Sequence, residues 1–348
     1  MRKIIYNNLD YNELNSSLQD LKVEKFRTNQ IFEGIHHLFY NNFESFTNIS
    51  KKMKRMLEEE GKFIKIELIK KFESKVDKTT KYLFKLEDGA LIETVLMRYQ
   101  DRNTICISSQ VGCKMGCKFC ASTKAGYERN LQVSELLEQV YYISRLENIR
   151  INNIVLMGIG EPLDNYDNVI KFIKIITDER GYNISIRNIT LSTCGLTKKI
   201  DKLSQEDLPI NLTISLHNPF DSERSAIMPI NNKYKIGEIF KSAKNYYEST
   251  GRRVSFEYTL IKDVNDSDRH IDEIVRLFNH ENFHLNLIPL NAIDEFGKPN
   301  TNLKDLKDFK QKLVSRGINT TIRKSMGVDI EGACGQLRSS HKNELRKW

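Results

Sequence analysis

The segment Gly112-Cys113-Lys114-Met115-Gly116-Cys117-Lys118-Phe119-Cys120 places three thiols within eight residues, at spacings of four and three. The next cysteine downstream is Cys194, which lies in an apolar, strand-like run. A [4Fe–4S] cluster has four iron corners that are normally held by four thiolates, so a loop with three cysteines leaves one iron open to a reactant. Structural zinc takes four ligands, usually from two paired knuckles, and is the alternative that the spacing leaves open. The loop favours an iron–sulfur centre with one vacant position.

Length and composition limit the number of domains, the class of partner and the cellular location that the protein can have. The 348 residues suffice for one large domain and a smaller attached one, with a sizeable core. The net charge of +8 fits a polyanionic partner such as nucleic acid, although a lysine-rich surface gives the same charge without one. The N-terminus lacks the apolar core of a signal peptide, and no apolar run approaches membrane-spanning length. With three of six cysteines in a loop that must stay reduced, we expect a cytoplasmic monomer without membrane association.

In the N-terminal third of the chain, the apolar spacing changes from helical to strand-like near residue 62. Residues 1–62 show helical apolar spacing and predict a small helical accessory domain that binds RNA. Residues 63–102 show strand patterns on both sides of the turn Glu87-Asp88-Gly89 and predict a β-hairpin linker. Four basic residues near the end of the helical part form either a phosphate-contacting face or an ordinary solvated helix face, namely Lys51, Lys52, Lys54 and Arg55.

Residues 103–322 alternate short apolar strands with amphipathic helices. Six strands are predicted, at residues 104–108, 153–157, 188–192, 211–216, 253–260 and 284–288. Repeated strand–helix units predict an α/β domain with a parallel sheet. The pattern does not distinguish a curved partial barrel from an open, doubly wound sheet. Residues 323–348 remain as a C-terminal loop and basic tail.

Polar residues follow several of these strands. Gly158-Ile159-Gly160-Glu161-Pro162 follows the second strand, and its glycines would let a ligand approach the backbone closely. Leu163 stands where a dinucleotide-binding motif needs a third glycine, so that motif is excluded. Ser192, Ser215-Leu216-His217 and Asn291 follow the third, fourth and sixth strands. Each alone is typical of a helix cap or turn, but their recurrence at successive strand ends predicts a polar ring around a ligand.

Two cysteines outside the loop have contrasting surroundings. Cys106 lies in a strand, where a free cysteine is most often a small buried hydrophobe. Cys334 lies in Gly332-Ala333-Cys334-Gly335, a stretch without periodicity that predicts a mobile loop with an accessible thiol. Cys194 is interpreted as structural.

The CxxxCxxC spacing, with an aromatic residue before the last cysteine, resembles the radical S-adenosylmethionine (SAM) superfamily. The resemblance implies a (β/α)6 partial barrel with the cluster loop after the first strand. It implies that Cys113, Cys117 and Cys120 hold a [4Fe–4S] cluster whose open iron binds SAM, and that one electron splits SAM into methionine and a 5′-deoxyadenosyl radical. The implied SAM contacts are Phe119, Gly160, Glu161, Ser192, Ser215, Leu216, His217 and Asn291.

Nearly the whole chain resembles the RlmN family of bacterial RNA adenine C2-methyltransferases. The similar segments are residues 26–32, 108–113, 160–162, 214–217 and 333–337. The related Cfr family methylates the same base at C8, and Val111 before Gly112 is typical of the C2 group. The resemblance implies two substrates, the adenosine in the peptidyl-transferase centre of 23S rRNA and the one just 3′ of the anticodon in some tRNAs. It also implies an electron donor such as flavodoxin or ferredoxin.

The family mechanism assigns roles to three further residues and uses two SAM molecules per turnover. Cys334 takes a methyl group from one SAM, and a second SAM supplies the radical that activates S-methyl-Cys334 for addition to C2. Cys106 releases the product by forming a transient disulfide with Cys334, and Glu93 accepts the C2 proton. An exposed strand residue is the default interpretation of Glu93. Three hypotheses remain open beside this one: a Cfr-type methyltransferase that modifies C8 of the same rRNA adenine, a radical SAM enzyme with a non-RNA substrate, and a zinc-stabilised RNA-binding protein without enzymatic activity.

Overall fold

A computed structural model describes residues 3–278 and 281–338 of the chain, and the basic tail expected near the C-terminus lies beyond them. The N-terminal part is helical and has an apolar cluster of its own, which includes Leu14, Phe32 and Phe43. Its first helix begins with a capping box, in which Asp10 and Glu13 each accept the other's backbone N–H at 3.0 Å. The elements are the pair β1 (Ile4–Ile5) and β2 (Gly61–Lys62), with α1 (Tyr11–Asp20), α2 (Lys25–His36) and α3 (Lys51–Glu60) between them.

The remaining strands form one large sheet and one small hairpin. In chain order they are β3 (Glu67–Glu73), β4 (Thr80–Lys85), β5 (Leu91–Arg98), β6 (Asn103–Cys106), β7 (Gln110–Gly112), β8 (Tyr127–Asn130), β9 (Asn153–Leu156), β10 (Ile189–Thr193), β11 (Asn211–Ser215), β12 (Ser255–Leu260), β13 (His284–Pro289) and β14 (Thr320–Ile322). The large sheet has the order β14-β13-β12-β11-β10-β9-β6-β5-β4-β3, and β7 pairs with β8.

The large sheet is parallel on one side and antiparallel on the other. Strands β6 and β9 to β14 pair in parallel, and the six predicted strands are all among them. Strand β14 was not predicted, because three residues are too few to show a period. On the other side β5 pairs antiparallel with β6. The strands between the helical part and the parallel strands therefore also extend the sheet.

Helices cover this sheet in the order that strand–helix alternation requires. Each parallel strand from β6 to β13 is followed by at least one helix before the next parallel strand of the sheet, and both α7 and α8 follow β11. The helices are α4 (Val133–Glu147), α5 (Tyr166–Thr177), α6 (Thr197–Leu203), α7 (Asp221–Ile227), α8 (Ile236–Thr250), α9 (Asp268–Phe278) and α10 (Leu303–Ser315). Among the helices within the described ranges, none has the length and apolar character needed to cross a bilayer.

Candidate active site

A cavity lies at the carboxyl ends of the parallel strands, beside the three-cysteine loop. Its empty volume, including the space open to solvent, is about 900 Å³. All but one of the residues expected to bind the cluster or SAM border this cavity, namely Cys113, Cys117, Phe119, Cys120, Gly160, Glu161, Ser192, Ser215, His217 and Asn291. The exception is Leu216, which is fully buried and whose carbonyl accepts a hydrogen bond from Arg224 Nε at 3.0 Å.

The cysteine loop is shaped by close backbone contacts. Gly112 has φ of +70°, and a Cβ there would lie 1.8 Å from the carbonyl oxygen of Gly126, which accepts the N–H of Cys113. Thr123 Oγ1 donates to the carbonyls of Cys117 at 3.1 Å and Cys120 at 3.0 Å. Within the described ranges, no group of three His, Cys, Asp or Glu side chains fits a single metal ion, and the three thiols border the common cavity. Their shared access to one large space fits a cluster.

Burial holds these thiols in the protonated form. It raises the pKa of Cys113 to about 12, and it also raises the pKa values of Cys117 and Cys120. Thiolates are the ligands of iron, so metal binding has to displace these protons. The donor chemistry of three cysteines that border one cavity fits a [4Fe–4S] cluster at this position.

The Gly160–Glu161 turn presents a carboxylate with a fixed orientation. Gly160 has φ of +106°, and a Cβ there would lie 2.6 Å from Gln110 Cβ. Both carboxylate oxygens of Glu161 accept backbone N–H groups, from Leu163 at 3.1 Å and Cys194 at 2.8 Å. Burial raises the pKa of Glu161, while the hydrogen bonds from Cys194 oppose that rise. The remaining acceptor capacity of this carboxylate suits an ammonium group such as that of methionine.

His217 adopts an unusual backbone conformation at the edge of the cavity. Its φ is +53°, in the left-handed region that side chains seldom adopt and that often marks functional sites. Its Nδ1 accepts the N–H of Thr259 at 2.9 Å, and burial lowers the pKa of His217 to about 3. The imidazole is therefore neutral at physiological pH and carries its proton on Nε2. The ring also packs against the edge of Phe119 at 4.9 Å between centroids.

The C-terminal segment carries Cys334 to the same place. Gly335 O accepts the N–H of Ala121, and Leu337 O accepts the Ser122 hydroxyl, so the segment is bonded to the cysteine loop. Cys334 is exposed because it borders two cavities, the one described above and a second of about 520 Å³ that Cys106 also borders. Both cysteines are free thiols. The structure thus brings two residues that are distant in sequence to one space.

Arg323 and Glu257 were not identified from the sequence. Arg323 borders the second cavity and donates to Glu257 Oε1 at 2.6 Å. The neighbouring Cys334 thiol, together with Glu257, raises the pKa of Arg323. Dense surrounding protein raises the pKa of Cys334, and Arg323 opposes that rise. Burial likewise raises the pKa of Cys106 to about 12. No sequence pattern singles out Arg323, because its role follows from the folded position of the C-terminal segment.

Glu93 lies beneath the C-terminal segment. The expectation of an exposed strand residue is wrong, because Glu93 is 0% exposed. Its Oε1 pairs with Lys81 Nζ at 2.9 Å, and its Oε2 accepts the backbone N–H of Arg338 at 2.8 Å. Strand β5 holds Glu93 against this segment, so the segment has to move before Glu93 can meet a substrate.

Comparisons with known proteins agree with this geometry. Residues 107–277 match the family model described as Radical SAM superfamily, and residues 6–62 match the one described as Ribosomal RNA large subunit methyltransferase N-terminal domain. A relative from Finegoldia magna is 49% identical over 97% of this chain and 96% of its own length. One from Lachnospira eligens is 47% identical over 97% and 96%. Both are named "Probable dual-specificity RNA methyltransferase RlmN".

A solved structure supports the fold assignment. The crystal structure of a radical SAM methyltransferase from Sphaerobacter thermophilus matches with a TM-score of 0.92 at 38% identity. The match covers 97% of this chain and 100% of that one. The α/β radical SAM fold expected from the resemblance is confirmed.

Proposed function

Because the chain belongs to the RlmN family of radical SAM RNA methyltransferases, we propose that it methylates C2 of adenine in both 23S rRNA and tRNA. The name of its relatives, dual-specificity RNA methyltransferase, supports two kinds of RNA substrate. The observation that carries the proposal is the position of Cys334. This residue borders both the cavity of the cysteine loop and the cavity that Cys106 borders.

The radical SAM family binds a [4Fe–4S] cluster and SAM. In this chain Cys113, Cys117 and Cys120 would hold the cluster, while Glu161 and the polar strand-end residues would hold SAM. When bound, the cluster supplies the electron that cleaves SAM to a radical, which activates the methyl group carried by Cys334. We propose two SAM molecules per turnover. One would donate the methyl group to Cys334, and the other would be cleaved to the radical.

Cys334 acts first, as the methyl acceptor. Its thiolate displaces S-adenosylhomocysteine from the methyl carbon of SAM and becomes a thioether. The exposed position of Cys334 between two cavities supports this role, because the sulfur needs access to SAM on one side and to RNA on the other. Arg323 favours the thiolate through its positive charge.

Cys106 and Glu93 act after the methyl carbon has joined the base. Glu93 accepts the C2 proton once Arg338 has released its carboxylate. Cys106, as a thiolate, then attacks the sulfur of Cys334, so that a disulfide forms and the electron pair of the carbon–sulfur bond stays with the methylene carbon, which takes up a proton to become the product methyl group. The unpaired electron that the radical brought to the adduct would leave to the cluster. The shared cavity of the two cysteines supports this step. Both thiols must be reduced again for the next turnover, which supports a cytoplasmic location.

The other partners follow from the same chemistry. We propose a one-electron donor of the flavodoxin or ferredoxin type, and a monomer as the active form. The basic residues of α3 support RNA contact, since Lys51, Lys52 and Arg55 are exposed.

Nucleoside analysis of RNA tests the proposal directly. The gene is expressed in a bacterial strain that lacks its own enzyme, and 23S rRNA and tRNA are purified separately. We expect 2-methyladenosine in both RNAs with the unaltered chain and in neither with Cys334→Ala. If 8-methyladenosine appears instead, the enzyme is of the Cfr type. If neither nucleoside appears while purified enzyme still cleaves SAM, the substrate is not RNA adenine.

A further inference from the structure

Arg224 is a buried cation beside the cysteine loop. The residue is 0% exposed and lies on α7. Its guanidinium donates to the carbonyls of Leu216 at 3.0 Å, Cys194 at 2.8 Å and Ser215 at 2.7 Å, and to the side-chain oxygen of Asn231 at 2.8 Å. All of these acceptors are neutral. Within the part of the chain that the structure describes, Arg224 makes no ion pair.

Such an arrangement satisfies hydrogen bonds but leaves a charge uncompensated. Burying an ion in a protein is costly unless an opposite charge lies nearby. Burial accordingly lowers the pKa of Arg224. Thiolates at Cys194 and Cys117 would oppose this, but burial raises the pKa of both thiols and keeps them neutral, and the Asp221 carboxylate is joined to Arg224 only through Asn231. A stable fold with this buried cation therefore points to a counter-anion close to it.

The position of Arg224 indicates what that anion is. Arg224 binds the carbonyls of Cys194 and Ser215, and both of those residues border the cavity. The last residue of α7, Ile227, accepts the N–H of Lys118 in the cysteine loop at 2.9 Å. Arg224 thus stands directly behind the wall of the site in which the loop would hold its cluster.

A cluster bound there would be an anion. An oxidised [4Fe–4S] core carries two positive charges, so three thiolates leave one net negative charge, and a one-electron reduction adds a second. A fixed cation in a medium of low dielectric constant stabilises the doubly negative form more than the singly negative form. Net charge around a cluster is one of the quantities that set its reduction potential.

We propose that Arg224 is a tuning residue that raises the reduction potential of the [4Fe–4S] cluster by placing an uncompensated positive charge behind it. The proposal rests on the cluster of the proposed function. It gives the buried cation a role beyond its hydrogen bonds to the strand ends, namely to set the electrostatic potential at the cluster. The electron itself comes from a one-electron donor, and Arg224 changes only how readily the cluster accepts it.

The test is a redox titration of the anaerobically reconstituted full chain without SAM, with dithionite as reductant and the electron paramagnetic resonance signal of the reduced cluster as readout. We expect Arg224→Gln to lower the ratio of reduced to oxidised cluster at least about tenfold at the wild-type midpoint, a shift of about 59 mV to more negative potential. Arg224→Lys keeps the charge and should stay within about threefold of wild type.

Two further variants separate charge from structure. Asp221 Oδ1 accepts hydrogen bonds from Asn231 Nδ2 and Ile236 N, and Asp221→Asn keeps an oxygen there while removing the negative charge near Arg224. We expect this variant to shift the potential in the positive direction. Arg276→Gln makes the same charge change on an exposed part of α9, where water screens it, and should leave the potential unchanged.

Two results for Arg224 would overturn the proposal. One is that Arg224→Gln keeps its iron and sulfide and titrates like wild type, and the other is that Arg224→Lys shifts the reduction potential as far as Arg224→Gln does. If Arg224→Gln does not hold a cluster, Asp221→Asn decides, since an unchanged or more negative potential overturns the proposal. A wild-type chain that binds no iron and sulfide overturns the proposed function instead.

Discussion

Asn291 donates its side-chain N–H to the backbone carbonyl of Cys334 at 3.2 Å. Asn291 also borders the cavity of the cysteine loop, so the residue expected to contact SAM is bonded to the residue expected to accept its methyl group. We therefore expect this side chain to help set the distance between SAM and Cys334.

Removal of that bond should slow methyl transfer to Cys334. A protein hydrogen bond contributes about 1 kcal/mol, so we expect Asn291→Ala to lower the rate about 3- to 10-fold. Peptide mass spectrometry with methyl-labelled SAM measures S-methyl-Cys334 directly. Asn282→Ala, at an exposed asparagine bonded to Tyr247, is the control and should not change the rate. Equal rates in the two variants would show that the bond does not position Cys334.

The Cys334 thiol should react faster as pH rises. Its pKa is raised, so the thiolate fraction is small at neutral pH and grows as pH approaches that raised value. Arg323→Gln removes the charge that opposes the rise, so alkylation by iodoacetamide at about pH 8 should become slower and its pH profile should move upward. Arg323→Lys keeps the charge and should give a profile near that of wild type. A profile that moves downward in Arg323→Gln would contradict the assigned effect of Arg323.

Loss of Cys106 should trap RNA on the enzyme. Without the second thiol the carbon–sulfur bond to the base cannot be exchanged for a disulfide. We expect Cys106→Ala to accumulate a covalent protein–RNA adduct, visible as a band of reduced mobility on a denaturing gel. The double variant Cys106→Ala, Cys334→Ala should show no such band, because it lacks the methyl-carrying sulfur. A Cys106→Ala enzyme that turns over normally would remove Cys106 from the mechanism.

The buried pair of Lys81 and Glu93 should matter for stability. Both side chains are nearly inaccessible, 4% and 1% exposed, and Lys81→Met removes the cation that lies 2.9 Å from Glu93 Oε1. We expect the free energy of unfolding to fall by about 3 to 5 kcal/mol in urea titrations. Lys85→Met on the same strand breaks an exposed pair with Glu67 and should cost less than about 1 kcal/mol. A similar loss in the free energy of unfolding for both variants would mean that water reaches and solvates the Lys81–Glu93 pair.

The sequence predicted the parts of this protein that repeat or that lie close together in the chain. The parallel strands have apolar runs long enough to recognise, and the three cysteines stand within one loop. Strand β14 was missed because it has only three residues. Arg224 and Arg323 were missed as well, since an isolated arginine has no pattern and its effect depends on which cavity it lies beside after folding.

The burial of Glu93 was missed for a related reason. Strand β5 has no polar and apolar alternation at this point, and Glu93 is covered by a segment from the far end of the chain. Long-range docking of a segment without periodicity leaves no trace in local sequence. By contrast, Cys334 was singled out because its small neighbours imply an irregular backbone.

Two hydrogen bonds join Gly335 and Leu337 to residues 121 and 122, at the end of the cysteine loop. If the loop unfolds when it holds no cluster, the segment that carries Cys334 loses both bonds. Unfolding of the cysteine loop would thus also release the segment with Cys334. Such a molecule would no longer hold the sulfur of Cys334 in a position to react with RNA.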